Sequence, residues 1–210
     1  MMQTTVKRLN RKIEVARRHG ADNVAKALVG KAVQFPLSLI FGGDRWHLRG
    51  FHTTNYKKMA VELARTVPGR LDVVAEVGCG LGEILNRVPA GRRLGFDIDR
   101  GVIAWARFLQ RSRRPRAEFA VGSFDALIKH DVREIDLLIA MGWFHYMPDE
   151  WIEHQTRALL ALKRVRYVMV DEFPEQKGRI ERIFDGFGVR VDRRHDWQDD
   201  KHLLLYRCDV

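Results

Sequence analysis

Leu71-Asp72-Val73-Val74-Ala75-Glu76-Val77-Gly78-Cys79-Gly80-Leu81-Gly82 decides the fold, because an apolar run suited to a buried strand ends in an acid and then in glycines at alternate positions. A helical pattern is predicted directly beyond it, over residues 82–88. Glycines at such a junction let the backbone turn sharply and approach a ligand closely, and a following helix offers free N–H groups at its start. The next apolar run closes on an acidic pair, Asp97 and Asp99. An acceptor after the second strand suits a ribose diol. Together these features outline a nucleotide-cofactor site. The spacing is G-x-G-x-G, and Glu83 stands where a dinucleotide fingerprint places its last Gly or Ala, which argues against NAD.

Working outward, the hydrophobic period alternates between two and 3.6. Strands are predicted over 71–77, 93–97, 117–121, 135–140, 166–170, 188–193 and 202–207, and further helices over 54–66, 100–111, 149–163 and 175–185. Strand–helix alternation implies an α/β fold, a doubly wound seven-stranded and mostly parallel Rossmann-like sheet. The last two strands have no helix between them and are joined by Asp196-Trp197-Gln198-Asp199-Asp200, so the sheet ends in an antiparallel hairpin. Upstream, residues 6–33 carry apolar positions three and four apart on either side of Gly20, which predicts two helices. Residues 35–43, apolar and then glycine-rich, read either as a lid or as a packed connector. Trp46, His47, His52 and Tyr56 follow.

The 210 residues, 46% of them hydrophobic, suffice for one catalytic domain with an extension. Residues 1–70 hold 14 Lys and Arg against 4 Asp and Glu, whereas residues 71–210 carry 23 of each sign, so the whole formal charge of +10 belongs to the extension. A basic segment of this kind suits RNA, an anionic membrane surface or an acidic substrate, or is simply a solvated helix face. The two cysteines, Cys79 and Cys208, match neither a disulfide framework nor a metal spacing, and no metal site is expected. No apolar run approaches the about 20 residues that span a bilayer, and the N-terminus lacks the apolar core of a signal peptide, so a cytoplasmic location is expected.

The segment from Glu76 to Gly82, together with Asp97, resembles the first two motifs of the class I S-adenosylmethionine-dependent methyltransferases, and the resemblance spans residues 71–210. It divides the chain into a basic helical extension, 1–70, and an S-adenosylmethionine-binding domain, 71–210. It implies that Gly78, Gly80 and Gly82 lie under the methionine part of S-adenosylmethionine, that Glu76 faces its amino group, and that Asp97 takes the ribose hydroxyls. Cys79, Ile98 and Met141 fall in the same cofactor-contacting loops. After the third strand, Ser123 stands where many relatives carry an acid for the adenine amino group, so either Ser123 serves or Asp125 reaches back. Phe124 either covers adenine or belongs to the core.

The loop Met141-Gly142-Trp143-Phe144-His145-Tyr146-Met147-Pro148 falls where the resemblance places the acceptor. His145 is the candidate general base, because imidazole titrates near neutrality; the alternative is that it packs the next helix. Trp143 and Tyr146 are candidates for stacking on an acceptor. Beyond the fifth strand, Asp171 and Glu172 are adjacent, so at most one faces the pocket; Glu172 is taken as the acceptor contact. The expected activity is O-methylation of a small-molecule or glycan acceptor, in the manner of bacterial polysaccharide-building methyltransferases. RNA methylation through the basic extension, and a non-catalytic cofactor-binding module, are the alternatives.

Overall fold

The computed structural model describes residues 50–112, 115–198 and 201–208, together with Val29, Ala32, Ile40 and Gly42. The helices expected over 6–33, the segment 35–43, Trp46 and His47 therefore lie outside the described residues, apart from those single positions. The described chain runs α1 (Asn55–Arg65), β1 (Val73–Val77), β2 (Arg92–Asp97), α2 (Arg100–Leu109), β3 (Glu118–Val121), α3 (Phe124–Lys129), β4 (Glu134–Ala140), α4 (Asp149–Leu162), β5 (Arg164–Glu172), α5 (Arg179–Asp185), β6 (Val189–Gln198) and β7 (Lys201–Cys208). The seven strands form one sheet in the order β3-β2-β1-β4-β5-β7-β6. All pairs are parallel except β5–β7 and β6–β7, which are antiparallel. The switch in strand order falls between β1 and β4, which is where open α/β sheets bind ligands beyond the strands' carboxyl ends.

Central strands such as Ile135-Asp136-Leu137-Leu138-Ile139-Ala140 are nearly continuous apolar runs, because helices cover both faces. One core layer joins the sheet to α3, α4 and α5 through Phe124, Leu127, Ile152, Leu159, Ile180 and Phe184. The other joins it to α1 and α2 through Ala60, Leu63, Ala64, Ile103 and Ala106. Asp99 caps α2, its Oδ1 accepting from the N–H groups of Gly101 at 2.8 Å and Val102 at 3.1 Å. The edge strand β6 exposes Arg190, Asp192, Arg193 and Arg194, charges that discourage pairing with another chain.

Two expectations about helices are corrected. Residues 82–88 form turns and a short 3-10 segment, Leu85–Arg87, instead of an α-helix. Gly82 has φ 69°, outside the helical region, and its carbonyl is also engaged by the Asn86 side chain at 2.6 Å. Conversely, α3 escaped the periodicity reading because its six residues bury only Phe124 and Leu127, too short a pattern to register. The region expected as one helix over 175–185 is a 3-10 turn, Pro174–Gln176, followed by α5, separated by Gly178 at φ 72°.

Candidate active site

At the carboxyl end of β1 the chain turns immediately. Gly78, Gly80 and Gly82 have φ of 74°, 52° and 69°, and the N–H groups of Gly78 and Cys79 both donate to the Phe96 carbonyl of β2. A side chain at Gly78 is excluded by Trp143, whose indole Nε1 lies 2.1 Å from where a Cβ would stand. Phe119 closes Gly82 in the same way at 2.6 Å. The loop after β4 thus leans directly on the glycine loop.

Four buried carboxyl groups stand at this end of the sheet, Glu76 (3% exposed), Asp97 (7%), Asp171 (8%) and Glu172 (1%). Side-chain alternation puts Glu76 and Asp171 on the α1 side, in line with the core residues Val74 and Met169. Asp97 lies in step with Gly95, whose missing side chain admits Phe119 and Cys79. Asp97 Oδ2 accepts from Gly80 N–H at 2.9 Å and Oδ1 from Asp99 N–H at 3.0 Å, so it braces both cofactor-type loops. Glu76 has one hydrogen bond, from Leu85 N–H at 3.1 Å. Burial, reinforced by the charges of Asp97 and Glu83 and opposed by Leu85 N–H and Lys57, pushes its carboxyl up to about 8.

Glu83, the residue that breaks the dinucleotide pattern, ties the N-terminal segment to this turn. Its carboxylate accepts from Phe51 N–H at 3.0 Å and pairs with Lys57 of α1. No sequence signal pointed to this link, because its partners lie 32 and 26 residues away.

After β3, Ser123 and Asp125 bond to each other, Oγ to Oδ1 at 2.9 Å. That hydroxyl holds the exposed Asp125 carboxyl below its ordinary range. Phe124 is 2% exposed and stacks on Phe144, so its ring belongs to the core. Ile98, in contrast, is 65% exposed just beyond Asp97.

Met141 is buried at the base of the next loop, and Gly142 N–H donates to Asp171 Oδ1 at 2.7 Å. Trp143 stacks on Trp151 of α4 with planes 12° apart. His145 packs between Tyr146 and Phe173, ring centroids 4.0 and 4.7 Å away, and its Nδ1 is buried without a hydrogen-bond partner. Tyr146 is 76% exposed. Burial holds His145 below the ordinary imidazole range; Asp171 opposes this and Arg179 adds to it.

The choice of Glu172 over Asp171 is also corrected. Alternation turns Glu172 to the opposite side of the sheet, where Oε1 accepts from Gly178 N–H at 2.7 Å and Oε2 lies 4.0 Å from Arg194. Asp171, bonded to the Gly142 N–H, is the acid on the side of loop 141–148. Sequence established that only one of the two could face the pocket; which one depended on the strand's register.

Buried carboxyl groups beyond a sheet's switch point, around a turn with no room for side chains, suit a small ligand whose positive charge favours their ionised form. The fold and this site define a class I S-adenosylmethionine-dependent methyltransferase. The chain belongs to the methyltransferase-domain family, whose model matches residues 74–185. Its cofactor is S-adenosyl-L-methionine. Magnesium protoporphyrin IX methyltransferase from Synechocystis PCC 6803, solved with bound S-adenosylmethionine, is similar at a TM-score of 0.61 and 15% identity, covering 90% of this chain and 97% of that one. N-methyltransferase NodS from Bradyrhizobium japonicum WM9 is similar at 0.61 and 12% identity, covering 74% and 95%. The ribosomal protein L11 methylase from Lactobacillus delbrueckii subsp. bulgaricus follows at 0.55 and 18%, covering 74% and 80%. No curated protein matches the chain in sequence. Among the described residues, no helix is long and apolar enough to cross a membrane.

Burial and the negative charges of Glu76 and Asp97 keep the Cys79 thiol well above its ordinary range, and Cys208 is also buried. Both thiols are therefore expected to resist a disulfide exchange reagent in the native protein and to react at once after denaturation. Rapid labelling of native Cys79 would show that the glycine turn opens.

Proposed function

We propose that this methyltransferase acts on an oxygen of a small-molecule or glycan acceptor. The observation that carries the reading is the meeting of the glycine turn with loop 141–148, where Trp143 abuts Gly78 and the Gly142 N–H is fixed on Asp171. Glu76 receives the ammonium of S-adenosylmethionine, Gly78, Cys79, Gly80 and Gly82 admit its methionine part, and Asp97 with Ile98 holds the ribose. Ser123, paired with Asp125, meets adenine, and Met141 closes the base of the pocket. Bound there, the cofactor supplies a methyl group on a sulfonium, an electrophile that needs mainly alignment. His145 takes the acceptor's proton, while Trp143 and the exposed Tyr146 offer stacking surfaces suited to a sugar or an aromatic ring. The basic segment 1–70 then meets an anionic surface, of which the cytoplasmic face of a membrane carrying lipid-linked glycan is the version this reading favours.

The test is transfer of labelled methyl into a fractionated host extract, scoring RNA, protein, lipid-linked glycan and small molecules separately. Label in the glycan or small-molecule fraction supports the proposal, and label confined to RNA or protein overturns it. Asp97→Ala serves as the control. It removes the acceptor of the Gly80 and Asp99 N–H groups along with a charge-assisted bond of about 1.5–3 kcal/mol, so cofactor affinity should fall about ten- to a hundredfold. Unchanged affinity would refute the ribose role.

A further inference from the structure

We propose that Arg179 is a positioning residue for the acceptor: its guanidinium fixes the outer half of loop 141–148, where His145 and Tyr146 stand, by bonding the carbonyls of Phe144 and Met147 and the carboxylate of Asp149. The inference rests on the reading of that loop as the acceptor's.

Each nitrogen of the guanidinium has its own partner. Nε donates to Asp149 Oδ1 at 2.6 Å, Nη1 to the Phe144 carbonyl at 3.2 Å and Nη2 to the Met147 carbonyl at 2.5 Å. Those acceptors span a short 3-10 turn, Phe144–Tyr146, and the start of α4, so one side chain joins the turn to the helix. Gln176, in the turn before Gly178, adds a bond from Nε2 to the His145 carbonyl at 2.7 Å. Side-chain packing alone does not set this path. Within the turn only Phe144 is buried, against Phe124 and Phe184, while Tyr146 is exposed, so without the carbonyl bonds the turn could pivot about the Phe144 ring. The inner half of the loop is held separately, Gly142 N–H on Asp171 and Trp143 stacked on Trp151. Loss of Arg179 therefore releases the acceptor side and leaves the contact of Trp143 with the glycine turn in place. A planar fork of diverging donors suits three acceptors at once, whereas a lysine ammonium is a single point on a flexible stem. Methyl transfer depends on alignment, and a displacement of about 1 Å costs about a hundredfold in rate.

The experiment compares the full wild-type chain with Arg179→Lys and Arg179→Ala. Calorimetry gives the affinity for S-adenosylmethionine, labelled methyl transfer into rising amounts of the extract fraction that wild type labels gives kcat and KM, and mass spectrometry follows amide exchange over residues 143–148. Both variants are expected to bind the cofactor within about twofold of wild type, while kcat falls about ten- to a hundredfold. Exchange over 143–148 should quicken about tenfold, with that of β4 unchanged. Arg179→Lys keeps the charge, so it carries the same test should the alanine variant not fold. Wild-type turnover in Arg179→Lys overturns the proposal, as does unaltered exchange, a readout that needs no acceptor. A loss of cofactor affinity as large as the loss of rate also overturns it, since that marks a general loosening of the fold. Tyr146→Ala with an unaltered KM for the labelled fraction would instead remove the acceptor reading of the loop, which separates the two failures.

Discussion

Glu76→Gln is expected to stabilise the protein above pH 8 while stripping it of most of its affinity for S-adenosylmethionine. Glu76 is buried with one hydrogen bond, and its carboxyl stays protonated up to about 8, whereas in the unfolded chain it titrates near 4.5. Between those values the folded state binds more protons than the unfolded state, so Glu76 makes stability fall as pH rises through that window. The loss amounts to about 5 kcal/mol at most, or roughly 10–20 °C in Tm for a chain of this size. Glutamine accepts the Leu85 N–H and carries no charge, so the variant should lose this part of the slope and melt higher at pH 9. Its cofactor affinity should fall about ten- to a hundredfold, because the ammonium loses its charged partner. Binding to the wild type at pH 7 should release about one proton, measurable by calorimetry in buffers of different ionisation enthalpy; Glu76→Gln should release none. A flat wild-type stability profile, or proton release that survives the substitution, would place the titrating group elsewhere.

Gly78→Ala is expected to lower stability by about 3 kcal/mol, roughly 6–12 °C in Tm, and to abolish measurable cofactor binding. A Cβ there would stand 2.1 Å from Trp143 Nε1 with φ at 74°. Trp143 cannot yield easily, since it stacks on Trp151 and meets Phe124 edge-on. The two causes separate in the double variant Gly78→Ala, Trp143→Ala. Removing the indole should recover the steric part relative to Trp143→Ala alone and leave about 1 kcal/mol for the left-handed backbone. Additive losses in this cycle would mean that the turn and the acceptor loop are energetically independent.

Local pattern was enough for the strands. Six of the seven lay within two residues of their predicted bounds, because a strand buried on both faces must be almost wholly apolar; the charged edge strand β6 runs to Gln198, five residues past its expected end and through part of the expected turn, since an edge strand needs no continuous apolar run. It was not enough for the helices after Gly82 and Ser123. Three or four turns are needed before a 3.6-residue period stands out, and here one segment is bent by a left-handed glycine while the other is six residues long. In the site, Glu76, Asp97 and the three glycines were legible because their spacing along one strand–turn unit carries the chemistry.

The amino-acid sequence by itself determined the fold class, since period and turn residues are local properties, and through its resemblance to a known family the cofactor class. Only the tertiary structure decided that Asp171 and not Glu172 holds the acceptor loop, that Phe124 belongs to the core, that Glu83 anchors the segment before β1, and that Trp143 closes on Gly78. Those outcomes depend on strand register and on contacts between residues tens of positions apart, and no local pattern encodes a distance across a sheet.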